Sequence, residues 1–238
     1  MKNQSEQAKS FIKQNRDLLI NKFASSKIYK PSESPFTVFM AGSPGAGKTE
    51  LSKVLIDKSL KGILKENIVR IDADEIREVC PGYNGSNSDI FMGASFIGVD
   101  ILYNHILKNG LHTIVDGTFA NYGKAFLNVG RAVKRKRGVL IFYVYQDPLI
   151  AWDFTKKRER LEGRKVPLDF FVNSFFLARE NVNKIKAIFE KKVHVFVVEK
   201  NYLNKIEKIG GNIETIDKYQ KIVYTKNELK NKLLNFKL

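Results

Sequence analysis

Short apolar runs alternate along the chain with longer stretches in which apolar positions recur at helical spacing. The runs at residues 36–41, 67–71, 111–115, 139–145 and 193–198 have strand length and are mostly apolar rather than alternating. Strands of that kind belong in a parallel sheet buried on both faces, and the stretches between them supply its helices. Helices are predicted near 73–79, 89–109, 122–136, 148–161 and 168–190, with Pro81-Gly82 and Asn109-Gly110 as stop signals. Ahead of the first strand, Ala8, Phe11, Ile12, Leu18, Leu19 and Phe23 predict one amphipathic helix. Residues 24–35, rich in Ser, Pro and Lys, predict a linker. Beyond the last run the pattern weakens to one further strand and a terminal helix near 226–236. The predicted class is α/β, a parallel sheet with helices on both faces.

The first strand leads directly into Gly42-Ser43-Pro44-Gly45-Ala46-Gly47-Lys48-Thr49, and Leu51, Val54 and Leu55 follow at helical spacing. Strand, glycine-rich turn and helix start form the setting in which this spacing cradles phosphates. Gly42, Gly45 and Gly47 let the backbone turn tightly and aim N–H groups at phosphate oxygens, where the helix dipole adds partial positive charge. Lys48 then reaches the β- and γ-phosphates, and the Thr49 hydroxyl is a natural Mg²⁺ ligand. ATP and Mg²⁺ are the expected cofactors, and the fold narrows to the P-loop NTPase or kinase type. The expected division is residues 1–35 as helix and linker, 36–200 as the P-loop domain, and 201–238 as an extension packed on it.

Composition adjusts this picture only at its edges. The net charge of +16 invites a nucleic-acid partner. Most of the basic residues are lysines scattered along the chain, however, and no arginine follows Arg179. The dense cluster Arg131–Arg137 is expected to end a helix and face solvent. Nucleic acid is therefore possible but not favoured. A single cysteine, Cys80, fits a reducing compartment and a structural role. A polar N-terminus and the lack of a run of membrane-spanning length point to a cytoplasmic protein with no membrane contact. His105, His112 and His194 lack metal-ligand spacing, and Trp152 with Phe170, Phe171, Phe175, Phe176 and Leu177 is expected to pack the core.

In a parallel sheet, ligands gather at the C-terminal ends of the strands. Asp72 and Asp116 both end strands and should meet the glycine turn there. Asp72 is placed to take the proton of an acceptor hydroxyl attacking the γ-phosphate, and Asp74, in the first helical turn, to cap the helix. Asp116 is similar to a carboxylate that holds Mg²⁺ through water; a turn-forming role before Gly117 is the alternative. Asp100 lies inside an apolar helix, which makes it either a pocket-lining acid or half of a salt bridge. The segment Arg158-Glu159-Arg160-Leu161-Glu162-Gly163-Arg164 falls where a kinase carries a lid, with Gly163 as a bending point. A solvated face of Glu/Arg pairs is the other reading of that segment.

Together these residues resemble the zeta toxin family of P-loop kinases. The matching segments are Gly42 to Thr49, Ile71-Asp72-Ala73-Asp74 with Arg77 and Pro81, Asp116-Gly117-Thr118, and Arg158 with Gly163-Arg164 and Pro167. The resemblance spans about residues 36–200. It implies ATP–Mg²⁺-dependent phosphorylation of the sugar 3′-hydroxyl of a UDP-N-acetyl-hexosamine, toxic to bacteria through loss of peptidoglycan precursors and restrained by an antitoxin protein. It further implies that Lys48 cradles phosphates, Thr49 binds Mg²⁺ and Asp72 is the base. Asp100, Asp116 and Thr118 contact substrate, and Arg158 and Arg164 stabilise the migrating phosphoryl group. The family carries glutamate at the positions of Asp100 and Asp116. Its lid arginines are farther apart, so Arg160 competes with Arg158 for the first role. Two other classes share the glycine turn: a polynucleotide 5′-hydroxyl kinase and a non-catalytic NTP-binding interaction module.

Overall fold

A computed structural model describes residues 2–60, 67–201, 203, 205–221 and 223–236. Five parallel strands, β1 (Phe36–Ala41), β2 (Ile68–Asp72), β3 (His112–Asp116), β4 (Gly138–Tyr145) and β5 (His194–Lys200), form a sheet in the order β2-β3-β1-β4-β5. A sixth, β6 (Ile206–Gly210), adds antiparallel at the β5 edge, pairing Val197 with Gly210. The order reverses at β1, which lies between β3 and β4, so the loop after β1 opens at the switch point.

The helices are α1 (Lys2–Gln14), α2 (Arg16–Phe23), α3 (Lys48–Val54), α4 (Ala73–Arg77), α5 (Met92–Lys108), α6 (Tyr122–Lys134), α7 (Pro148–Glu162), α8 (Leu168–Phe189) and α9 (Lys226–Leu234). A single π-helical turn, Leu55–Leu60, extends α3. One sheet face buries Phe39, Val69, Ile71, Ile141 and Val195 against α1, α2, α5, α6 and α8. The other buries Val38, Met40, Ile114 and Val144 against Ala46 and Leu51 at the start of α3. A third cluster joins Trp152 of α7 and Phe171 and Phe175 of α8 to Leu229 and Leu233 of α9, so these aromatic residues do pack the core. Phe170 instead lies exposed.

Two expectations change here. The N-terminal amphipathic stretch is two helices that meet at Asn15, whose side chain donates to the Phe11 carbonyl at 2.8 Å beside its own backbone amide at 2.9 Å. Leu19 lies in the core and Leu18 is exposed. The cluster Arg131–Arg137 is solvated only in part. Arg137 is buried and donates to Thr37 Oγ1 at 2.9 Å, to the Phe36 carbonyl at 2.7 Å and to the Leu111 carbonyl, stitching together the N-terminal ends of the strands. Burial pushes its pKa down to about 10. Cys80 is buried, and that burial raises its thiol pKa, as suits an inert structural cysteine. Among the described residues, no helix is long and apolar enough to cross a membrane.

Candidate active site

The turn between β1 and α3 is shaped by its glycines. Gly42, Gly45 and Gly47 all have positive φ, at 136°, 73° and 81°. A Cβ on Gly45 would stand 2.0 Å from the Ala151 carbonyl oxygen and 2.6 Å from Thr155 Oγ1 of α7. One on Gly42 would stand 2.4 Å from the Val144 carbonyl oxygen. The turn is thus seated on β4 and α7, and the Gly42 amide donates to the Thr118 carbonyl at 3.1 Å, which ties it to the loop after β3. That loop is held from outside by Asn181, whose amide donates to the Phe119 carbonyl at 3.0 Å.

Ser43, Ala46, Gly47 and Lys48 are buried. The Lys48 ammonium donates to the Ser43 carbonyl at 2.6 Å, inside the turn it would share with phosphates. Burial pushes its pKa down to about 8, against the pull of Asp116, Glu50 and Asp74. Thr49 opens α3 just after it, and one turn on, the Ser52 hydroxyl lies 2.9 Å from the Thr49 carbonyl and 3.1 Å from Asp116 Oδ2.

Asp72 and Asp116 are register partners at the ends of β2 and β3. Both engage Arg70, a residue the sequence reading passed over. Its guanidinium contacts Asp72 Oδ2, Glu75 Oε1 at 2.5 Å and Asp116 Oδ2 at 3.0 Å, while its Nε reaches Ser52 Oγ at 3.1 Å. The signal was present: Arg70 lies two residues before Asp72, so a strand puts both side chains on one face.

The cap expected at Asp74 is supplied by Asp72 instead. Asp72 is itself the helix cap, its Oδ1 accepting the Asp74 amide at 2.8 Å. With Oδ2 on Arg70, both of its oxygens are engaged, and the side chain is 12% exposed. Asp74, in the first turn of α4, is 29% exposed. It pairs with Arg77 at 3.0 Å and with Arg164 from beyond α7. Arg164 and Asp74 both act electrostatically on Lys48. The Asp74–Arg164 pair is thus within electrostatic reach of the glycine turn's lysine, as Asp116 and Glu50 are.

The remaining expected residues separate clearly. Arg158 is exposed and paired with Glu162 at 3.0 Å; burial opposes its charge, but that carboxylate, with Asp74 and Glu50 farther off, raises its pKa. Arg158 is held on Glu162 of its own helix, and Arg160 is exposed. Gly163 ends α7 with φ 72° and open space at its Cβ, so the chain bends there before Arg164. Asp100 does not join the site. Its carboxylate is 61% exposed and bonded to Arg131 of α6 at 2.7 Å, because the face of α5 that carries it looks to solvent rather than to the strand ends. Of its two expected roles, the structure displays the salt bridge. Among the described residues, no group of three His, Cys, Asp or Glu side chains could hold a metal by itself.

Burial, and then the charges of Asp74 and Asp116, push the Asp72 carboxyl up to about 6, against the Asp74 amide and Arg70. A raised carboxyl pKa means that the native state retains the proton after the unfolded chain has lost it. Wild-type stability should therefore fall as pH rises from about 4 to 6. Asp72→Asn keeps the cap and removes the charge, so its advantage over wild type should grow across that window, to at most ~3 kcal/mol. Melting temperatures of the two proteins at pH 4, 5, 6 and 7 check this. A variant equally destabilised at every pH would show that Asp72 acts through packing alone.

The chain is similar to solved structures of the same fold. One comes from the PezAT chromosomal toxin–antitoxin system of Streptococcus pneumoniae, with a TM-score of 0.60 and 19% identity over 96% of this chain and 86% of that chain. Another is the AvrRxo1-ORF1:-ORF2 complex with ATP, with a TM-score of 0.56 and 12% identity over 90% of this chain and 70% of that chain. No match was found among curated proteins. The sequence profile of the zeta toxin family matches residues 20–222, which takes in the glycine turn, both strand-end acids, the lid and part of α2. The chain belongs to the zeta toxin family.

Proposed function

We propose that this protein is an ATP-dependent kinase that transfers the γ-phosphoryl group to a hydroxyl of a UDP-N-acetyl-hexosamine, and that it acts as the toxin of a toxin–antitoxin pair. One observation carries the reading: Asp74 and Arg164 meet beside the buried lysine of the phosphate turn. In this reading the pair would supply a base for the acceptor hydroxyl and a cation for the migrating group. Asp74 takes the acceptor proton as the acceptor oxygen bonds to phosphorus and the bond to the β-phosphate oxygen breaks, leaving ADP. Asp72 holds the first turn of α4, and so Asp74, in place. Arg164 exchanges its partner Asp74 for phosphoryl oxygens, with Arg158 behind it. The Thr49 hydroxyl and the Asp116 carboxylate are hard oxygen donors of the type Mg²⁺ prefers, and would hold it. When bound, the ion neutralises phosphate charge. Thr118, whose backbone carbonyl accepts the Gly42 amide, would contact the acceptor in this reading. The toxin–antitoxin neighbour supports an antitoxin partner, and the neighbour solved with ATP supports the nucleotide.

The test is incubation with γ-labelled ATP and, separately, UDP-sugars or 5′-hydroxyl oligonucleotides. Label in the UDP-sugar pool is the expected outcome. Label in the oligonucleotides would transfer the reading to a polynucleotide kinase, and label in neither despite ATP binding would leave a nucleotide-binding module.

A further inference from the structure

We infer that Arg70 is the positioning residue of this site, one guanidinium that sets the geometry of both strand-end carboxylates relative to the helix carrying Thr49. The inference rests on the kinase reading above. Arg70 is the sole charged residue of β2 ahead of Asp72, and its side chain is 11% exposed. Its planar fork spans four acceptors on four elements: Asp72 ending β2, Asp116 ending β3, Glu75 on α4 and Ser52 on α3. Asp72 and Asp116 are cross-strand neighbours, and two such charges repel unless a cation lies between them. Ser52 carries the linkage on, since its hydroxyl reaches the Thr49 carbonyl as well as Asp116. Asp116 Oδ2 is thus directed toward Arg70 and Ser52, which leaves Oδ1 as its other oxygen for the nucleotide's metal.

A lysine at this position keeps the charge but is a compact donor that cannot span the four acceptors. Arg70→Lys is therefore expected to bind ATP without Mg²⁺ within about threefold of wild type. The gain in ATP affinity brought by Mg²⁺ should shrink about tenfold or more, the usual effect of removing a residue that orients a metal-facing carboxylate. The turnover number should fall about a hundredfold with the KM for ATP little changed. A melting temperature near wild type separates this outcome from loss of fold. An unchanged Mg²⁺ gain in folded Arg70→Lys overturns the inference, whatever the activity. If Arg70→Lys does not fold, Arg70→Ala with added ethylguanidinium takes its place; restored Mg²⁺-dependent ATP binding supports the inference, and no restoration overturns it. Wild-type protein that transfers no label would sink the kinase reading alone, because the Mg²⁺ gain is measured by binding.

Discussion

Asp74→Asn is expected to lower the turnover number about a thousandfold, within the range that a positioned general base contributes. ATP affinity should stay within about threefold of wild type, because the phosphate turn is built from β1, β4, α7 and the loop after β3. Asparagine preserves the shape and can still accept hydrogen bonds from Arg77 and Arg164, but it cannot take a proton. Asp72→Asn is the matched control. Its loss should be nearer tenfold, since it keeps the cap on α4 and gives up one charge to Arg70. Single-turnover transfer from γ-labelled ATP, with binding measured separately, distinguishes the two. A dead Asp72→Asn beside an active Asp74→Asn would restore the assignment suggested by the sequence alone.

The site was legible where its geometry is local and obscure where it depends on packing. Glycines at 42, 45 and 47, a lysine and a threonine are dictated by backbone conformation within a few residues, so the phosphate turn could be read directly. The strand ends were legible too, because the runs that form β2 and β3 stop at an acid followed by helix or turn signals. Which of the two acids caps α4 was not. Asp72 is at once the last residue of β2 and the cap of α4, and a shift of two residues in the strand end would pass the cap to Asp74. Asp100 illustrates the same limit on a helix. Its apolar surroundings in sequence suggested burial, but the tertiary packing of α5 turns that position toward Arg131 and solvent. Arg137 errs in the opposite direction: a charge run reads as solvated, yet its last member fills the space between β1 and the segment before β3.

Lys48→Met should separate stability from function in opposite directions. The Lys48 ammonium is buried, and its pKa, depressed from 10.5 to about 8, records the cost of holding the charge there. Below pH 8 the lysine is protonated in both folded and unfolded chains, so the folded state carries that full cost, on the order of 3 kcal/mol. Between pH 8 and 10.5 the folded protein releases the proton first, and the cost fades as pH rises. Methionine matches the length of the side chain without the charge and gives up one hydrogen bond to the Ser43 carbonyl, which offsets about 1 kcal/mol. The nucleotide-free variant should therefore be the more stable protein at pH 7, by ~1–2 kcal/mol, and should lose that advantage by pH 10. Its transfer rate should fall at least a hundredfold, because the polyphosphate loses the cation it was to meet. The same logic fixes a proton count. Phosphate charge beside Lys48 restores the ammonium, so ATP binding near pH 8 should take up a fraction of a proton in wild type and none at this position in Lys48→Met. Titration calorimetry in two buffers of different ionisation enthalpy measures that difference. Equal proton uptake by both proteins would mean that this lysine does not face the phosphates.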